Sequence, residues 1–148
     1  MGTEEVLCQL RDVVLGQRLA VLATAGCTPP YANLIAFVAA DDLRRLWFVT
    51  PRASRKYANL RTDPRVALLI DSRSNDLGDF DRAVAATAVG QVTELSAENA
   101  VAPREQYLAR HPYLAEFLAS PSCALFELRV AKYIVVSAFQ DVSEVPMA

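Results

Sequence analysis

Residues 45–71 read RLWFVTPRASRKYANLRTDPRVALLID, and this stretch decides the fold. The apolar run over residues 45–50 predicts a β-strand, and residues 65–71 predict a second one. Between them, residues 54–61 predict a short helix that ends at Asp63-Pro64, because a residue before proline avoids the helical region. The stretch therefore predicts a strand, a short helix and a strand in direct succession.

The start of this short helix contradicts the usual charge preference of helix termini. Ser54 is a good N-cap, which places Arg55 and Lys56 in the first turn, with Arg52 nearby. Helix starts favour acidic residues, because their unpaired backbone N–H groups already carry partial positive charge. A solvated basic turn is one interpretation. The second interpretation is a phosphate-sized anion site at the rim of a barrel. It is favoured because the basic segment directly follows a strand that ends in Thr50.

The rest of the chain is dominated by strands. A helix is predicted over residues 3–17, with Thr3 as its cap, and a polar loop over 72–82. Helical signals over residues 96–120 break at His111-Pro112. Further strands are predicted over residues 18–25, 31–40, 83–95 (bent at Gly90, where a missing side chain permits a bulge) and 123–138, with a hairpin connection at 41–44 and a turn at 26–30.

About six strands and three helical pieces, without regular alternation, predict a mainly β fold. We expect an antiparallel barrel with peripheral helices, formed by a single domain over residues 1–148. Several strands are apolar at nearly every position, whereas a solvent-facing strand should alternate. One face is therefore expected to be covered by helices or by a second subunit, and we predict a homodimer.

Composition excludes several classes of function. A net charge of −2 gives no general attraction to nucleic acid or anionic lipid. No apolar run is long enough to span a membrane, and the acidic N-terminus does not resemble a signal peptide, so we expect a cytoplasmic protein. The three cysteines (Cys8, Cys27 and Cys123) are predicted to be buried free thiols.

Metal and nucleotide motifs are missing from the sequence. With His111 as the single histidine, we expect no metal site. The five glycines are not grouped, which excludes a P-loop and a dinucleotide fingerprint. We find no catalytic constellation, and we expect His111 to be a surface or capping residue.

The pattern resembles the pyridoxamine 5'-phosphate oxidase-like family of FMN-binding split β-barrels. The segments LAVLATAGCTPPYANLIAFV, RLWFVTPRASRKYANLRTDPRVALLI and AVGQVTEL carry the resemblance, in this order, over residues 19–95. Its most specific part is the basic SRK helix start followed by NL and DPRV. The resemblance implies a homodimer of six-stranded antiparallel barrels with FMN in a cleft between the subunits.

The resemblance also implies a set of cofactor-binding residues. Arg55 and Lys56 look like the phosphate-binding pair, and Val49, Thr50 and Ser54 look like the lining of the ribityl and phosphate side. Asn33 and Leu34 lie on the strand that approaches the flavin ring. For Asn33, an outward-facing strand position is an equally good interpretation. Catalytic residues stay unidentified.

Pyridoxamine 5'-phosphate oxidases hold their substrate with a C-terminal segment that is rich in Arg and His. Residues 137–148 (SAFQDVSEVPMA) contain neither, so the resemblance does not extend to that activity. The strand before Gly90 also lacks the Gln or Arg with which many relatives contact the flavin, unless Arg82 replaces it.

Four functions stay open at this point. The first is an FMN-dependent oxidoreductase acting on a small-molecule substrate or electron acceptor, and the second is a flavin carrier without turnover. A haem-degrading member of the same fold would need His111 as its iron ligand. A deazaflavin-using member would hold a longer anionic tail with Arg44, Arg45 and Arg52.

Overall fold

The computed structural model describes residues 2–26 and 29–147. The helices are α1 (Thr3–Gly16), α2 (Arg55–Thr62), α3 (Asp79–Arg82), α4 (Val101–Arg110) and α5 (Ala115–Ala119), with a 3-10 turn at Pro112–Leu114. The strands are β1 (Leu19–Thr24), β2 (Tyr31–Ala39), β3 (Arg45–Pro51), β4 (Arg65–Asp71), β5 (Val84–Glu94), β6 (Cys123–Ser137) and β7 (Asp141–Pro146). The predicted strands and the first two predicted helices agree with these bounds within one residue at either end.

Six of the strands form a closed antiparallel barrel. Their order is β3-β2-β1-β4-β5-β6, and an additional ladder between β3 and β6 closes the ring. The long strand β6 changes partner along one edge, because residues 123–129 pair with β3 and residues 132–137 pair with β7. The wall is therefore split near Val130 and Ala131. This confirms the predicted six-stranded barrel, and β7 is a seventh strand that the sequence did not predict.

The ladder between β5 and β6 contains the bulge expected at Gly90. Val89 pairs with Lys132 and Gly90 pairs with Val130, so Ala131 is the extra residue. A Cβ added at Gly90 would lie 2.1 Å from the carbonyl oxygen of Arg129. Only glycine permits this approach of β5 and β6, and the prediction is confirmed.

Cross-strand registers separate an inner face from an outer face. A fully buried inner row crosses four strands, and Asn33 of β2 extends it: Asn33, Leu22, Leu68, Ala88 and Tyr133. One residue further along β2, an outer row contains Leu34, Val21, Leu69, Thr87 and Ile134. This row is mostly apolar and at least partly exposed. The strands are thus apolar on both faces, as their sequences indicated.

The helices close the barrel ends and cover part of its outside. Helix α1 contacts β2, β4 and β5, which are not all neighbours in the barrel, and its buried residues join the inner-face core. The helix therefore crosses one open end of the barrel. Tyr57 and Leu60 of α2 join the same core from the other end. Helices α4 and α5 pack outside, where Tyr107 and Leu118 meet Trp47 and Val49 in a second cluster.

Some local predictions are wrong. Gly2, not Thr3, is the N-cap of α1. Cys8 is exposed and Cys123 is partly exposed, although both are free thiols, and Cys27 lies outside the described residues together with Thr28 of the predicted turn. Within the predicted loop 72–82, Asp79–Arg82 form a helical turn. Among the described residues, no helix is long and apolar enough to cross a bilayer.

Candidate cofactor site

The start of α2 has the N-cap that the sequence predicted. The Ser54 hydroxyl accepts a 3.2 Å hydrogen bond from the Tyr57 backbone N–H and lies 2.7 Å from the Pro51 carbonyl oxygen, to which it donates. The Thr50 hydroxyl lies 3.0 Å from the Ser54 hydroxyl oxygen. The first N–H groups of a helix have no intrahelical acceptor. Since the Ser54 hydroxyl accepts from the N–H of Tyr57, the N–H groups of Arg55 and Lys56 are the ones left without such an acceptor.

Arg55 and Lys56 project from this helix start without a carboxylate partner among the described residues. The exposed Arg55 guanidinium lies 5.3 Å from the ring centroid of Tyr31, where a cation–π contact orients it. Lys56 is half-buried, and desolvation lowers the pKa of its ammonium group. No acidic residue lies in the first turn. A bound anion would offset both the desolvation of Lys56 and the unfavourable helix-dipole interaction.

Arg52, the third cation of the segment, is already engaged. Its guanidinium donates to Glu94 at 2.8 Å and to the carbonyl oxygens of Pro121 and Cys123 at 2.9 Å. The Tyr57 hydroxyl donates to the other oxygen of Glu94 at 2.6 Å. Burial raises the pKa of Glu94, but hydrogen bonds from Tyr57 and Arg52 outweigh it, and the net direction is downward. This network fixes α2 against the barrel end.

Val49 and Thr50 are both buried, and their side chains lie on opposite faces of β3. Val49 belongs to the cluster under α4 and α5, whereas Thr50 is directed inward. Neither side chain reaches the surface beside Arg55. Any contact of these two residues with a cofactor would therefore use their backbone.

Asn33 and Leu34 lie on opposite faces of β2. Asn33 faces inward, in register with buried Leu22, so the outward-facing interpretation is wrong. Its amide oxygen is buried without a hydrogen-bond partner in the part of the chain that is described. Leu34 points outward and 62% of it is exposed. In the described ladder with β3, β2 pairs only through Phe37, Val38 and Ala39, so its first half is free of β3.

Tyr31 was missing from the predicted site. It lies two residues before Asn33 on the same face of β2, about 7 Å away along the strand. Through Arg55 it links the start of β2 to the start of α2. The alternation Tyr-Ala-Asn over residues 31–33 was the available signal, because it places Tyr31 and Asn33 on one side.

Arg44 and Arg45 do not belong to this site. They lie at the opposite end of β3 from Ser54, roughly 20 Å away at the rise of an extended strand. Arg52, the third cation suggested for a deazaflavin tail, is engaged by Glu94. The fold therefore does not combine these three arginines with Arg55 and Lys56 in one anion site.

His111 is buried, and this corrects its expected surface position, although it does form the C-cap of α4. Its Nε2 lies 2.7 Å from the Phe37 carbonyl oxygen, which can only accept, so Nε2 carries the proton. Nδ1 then accepts from the Tyr113 hydroxyl at 3.3 Å. Both ring nitrogens are occupied. Tyr113 itself is 68% exposed, whereas Tyr107 and Phe117 belong to the cluster under α4 and α5.

Two large pockets lie away from these residues. One, of about 820 Å³, lies at the split in the wall, and the other, of about 690 Å³, lies beside the 72–82 segment. Neither is lined by the predicted cofactor residues. Within the described ranges, no group of three or more His, Cys, Asp or Glu side chains could hold a metal ion.

A closed six-stranded barrel that is split along β6, with a basic helix between β3 and β4, defines the class of split β-barrels. The chain belongs to the pyridoxamine 5'-phosphate oxidase family, whose model matches residues 7–137. No protein of curated function matches the sequence at a significant level.

Solved structures with the same fold differ in what their names say they bind. The haem-binding protein of Mycobacterium smegmatis has a TM-score of 0.82 at 16% identity, over 93% of this chain and 56% of that one. The chain thus spans little more than half of that protein. An FAD-binding protein from Mesorhizobium loti has a TM-score of 0.71 at 16% identity, over 87% and 90%. HutZ, the haem storage protein of Vibrio cholerae, has a TM-score of 0.71 at 14% identity, over 84% and 89%. At these identities the likeness shows the fold alone.

Proposed function

We propose that this protein binds FMN, with the phosphate at the start of α2, and that it is a flavin-dependent oxidoreductase acting on a small molecule. The observation that carries the proposal is the pair Arg55 and Lys56, two cations at a helix start with no carboxylate partner among the described residues. A phosphate supplies the anion that this arrangement lacks, and the backbone N–H groups of the helix start add donors.

The residues around this helix start fit a flavin in other respects. The buried amide oxygen of Asn33 has no donor among the described residues, and the ribityl hydroxyls and ring N–H of a flavin are donors. Exposed Leu34 offers an apolar contact, and Tyr31 lies beside Arg55. Val49, Thr50 and Ser54 supply the rigid backbone from which α2 projects.

A bound flavin would supply the hydride or electron transfer. The chain's own residues bind and orient it: Arg55 and Lys56 hold the phosphate, and Glu94 fixes α2 through Tyr57. Thr50 and Ser54 set the direction of the first helical turn by their mutual hydrogen bond. The substrate-facing residues are not assigned.

The proposal includes a homodimer, which the outer row of the barrel supports. Leu34, Val21, Leu69 and Ile134 are apolar and outward-facing, and α4 and α5 cover a different part of the wall. A second copy would cover this face and would bring its own residues towards Leu34. The flavin cleft would then be completed by the partner, which explains why neither large pocket of one chain contains Arg55 or Lys56.

The haem alternative lacks its simplest ligand. His111 is the single histidine of the sequence, and both of its ring nitrogens are hydrogen-bonded inside the protein. Iron ligation would require breaking the 2.7 Å contact with the Phe37 carbonyl oxygen. Haem titration of the wild type and of His111→Gln tests this directly: a Soret band that depends on His111 would contradict the proposal.

Flavin binding is tested by titrating the purified protein with FMN, followed by flavin fluorescence, and by mass analysis of any ligand that the protein releases. Saturable binding of FMN, stronger than that of a deazaflavin or of haem, supports the proposal. Preference for either of the other two overturns it.

Turnover separates the oxidoreductase from a carrier. The protein-bound flavin is reduced with dithionite, and its reoxidation by a panel of quinones, aldehydes and other organic acceptors is followed by absorbance. Reoxidation faster than that of free FMN for at least one acceptor supports the enzyme. Uniformly slower reoxidation would assign the protein to the carriers.

We also propose that the protein works in a reducing compartment such as the cytoplasm, because Cys8 and Cys123 are free thiols.

A further inference from the structure

A row of basic and polar side chains crosses the outside of the barrel in register. Arg65 pairs with Gln91, Gln91 with Arg129, and Arg129 with Arg45, and all four are exposed. Directly opposite residues of antiparallel strands have Cβ atoms about 5 Å apart, so like charges there are destabilising. The Arg45–Arg129 pair is therefore unfavourable in the absence of an anion.

The nearby carboxylates only partly neutralise this row. Glu127 contacts Arg45 at 3.9 Å and Arg129 at 4.0 Å, and the same carboxylate accepts a 3.0 Å hydrogen bond from the Trp47 indole. One carboxylate thus serves two guanidinium groups at the limit of ion-pair distance. Arg65 is held by Asp63 at 2.8 Å, so it adds little free charge.

The neighbouring loop adds one cation, Arg44, and one carboxylate, Asp42. The Arg44 backbone N–H donates to Asp42, and the Arg44 side chain forms no ion pair among the described residues. Arg45 is additionally held in place, because its guanidinium carbon lies 5.4 Å from the Trp47 ring centroid. The basic row therefore contains a pre-oriented guanidinium as well as excess charge.

These arginines and the carboxylate of Asp42 line a groove at the split in the barrel wall, so four arginines stand against one lining carboxylate. Its volume is about 820 Å³, within the usual range for small-ligand sites. Val89, Val130, Ala131 and Met147 give it an apolar floor. The Ala131 bulge lies in this floor, and bulges of this kind are frequent beside binding sites.

We propose that this groove is a second ligand site, which binds an organic anion. Its carboxylate or phosphate contacts Arg45 and Arg129, and its apolar body lies on the floor formed by Val89 and Met147. The site is distinct from the start of α2, because β3 separates Arg45 from Ser54 by roughly 20 Å. It does not depend on the proposed flavin function.

The test uses the full-length Arg55→Ala/Lys56→Ala protein, so that the α2 cations cannot bind the probe. Phenyl phosphate and benzoate are titrated calorimetrically, and they separate the phosphate and carboxylate versions of the ligand. Benzyl alcohol is the neutral control. In this background Arg129→Gln is compared with Arg73→Gln, which removes an equal charge from an exposed arginine outside the groove.

We expect at least one of the two anions to bind, with affinity that falls roughly tenfold or more in Arg129→Gln and stays unchanged in Arg73→Gln. Arg129→Lys should lie between, since it keeps the charge and loses the planar fork. If Arg129→Gln does not fold, Arg45→Gln replaces it. Equal affinity in the Gln variants of Arg129 and Arg73, equal binding of benzyl alcohol, or no binding of either anion would overturn the proposal.

Discussion

The Tyr57 hydroxyl donates a 2.6 Å hydrogen bond to Glu94 and so joins the first turn of α2 to the end of β5. Glu94 also accepts from Arg52, which precedes α2. The direction in which Arg55 and Lys56 project is thus set by contacts with a strand almost 40 residues further along the chain. The basic helix start is held by the barrel, and Arg55 and Lys56 have no carboxylate partner among the described residues.

Removing this link should loosen α2. We expect Tyr57→Phe to lower the free energy of unfolding by about 1–2 kcal/mol, because a hydrogen bond to a charged group is lost and Glu94 keeps only Arg52. Urea unfolding followed by circular dichroism measures it. Tyr31→Phe is the matched control, since the Tyr31 hydroxyl forms no hydrogen bond among the described residues. An equal loss of stability in Tyr57→Phe and Tyr31→Phe would contradict the importance of the bond to Glu94.

The single histidine should give the stability a specific pH dependence. Burial, as the main cause, lowers the pKa of His111 below its usual 6.5 in the folded protein. Below about pH 6.5 the unfolded chain binds a proton that the folded protein does not, so stability should fall with pH by up to about 1.4 kcal/mol per unit. Above this pH the contribution of His111 should be complete and constant.

Urea unfolding of the wild type and His111→Gln between pH 5.5 and 8 tests this dependence. His111→Gln should be less stable at pH 8 and should lose the slope, because no other histidine titrates there. A slope that persists in the variant would assign the effect to other groups.

Gly90 should tolerate no side chain. A Cβ would lie 2.1 Å from the Arg129 carbonyl oxygen, so Gly90→Ala must displace β6 at the bulge and should cost about 2 kcal/mol or more. Gly16→Ala is the matched control, because nothing lies within 4 Å of its added Cβ at the end of α1. Thermal unfolding of the two variants measures the contrast, and equal midpoints would argue against the close approach.

The outer row should mediate dimerisation. Leu69→Glu places a charge in the middle of this apolar row, between Val21 and Thr87, and should convert a dimer to monomers at micromolar concentration. Sedimentation velocity measures the change. Leu77→Glu is the control, since Leu77 is 85% exposed in the 72–82 segment. A wild-type monomer, or a dimer that survives Leu69→Glu, would contradict the interface.

The features that the sequence predicted are local ones. The apolar runs of the barrel strands, the Ser54 cap and the bulge at Gly90 each depend on neighbouring residues or on a missing side chain. Strand β7 was not predicted, because the polar segment Asp141–Pro146 pairs with β6 only once the barrel has split there.

The features that sequence analysis missed depend on distant contacts. The burial of His111 comes from the Phe37 carbonyl, and the engagement of Arg52 comes from Glu94. The inward direction of Asn33 depends on its register with Leu22, and a shift of one residue would reverse it. No local pattern determines such pairings, so these contacts could be identified only from the structure.

The central claim is that Arg55 and Lys56 bind the phosphate of FMN, and fluorescence titration with FMN and riboflavin tests it most directly. In Arg55→Ala/Lys56→Ala, FMN affinity should fall about 100-fold, whereas riboflavin affinity should change by less than about threefold. Arg11→Ala/Arg73→Ala, which removes the same charge elsewhere, should leave both affinities unchanged. An equal loss for FMN and riboflavin, or no loss for FMN, would contradict the account.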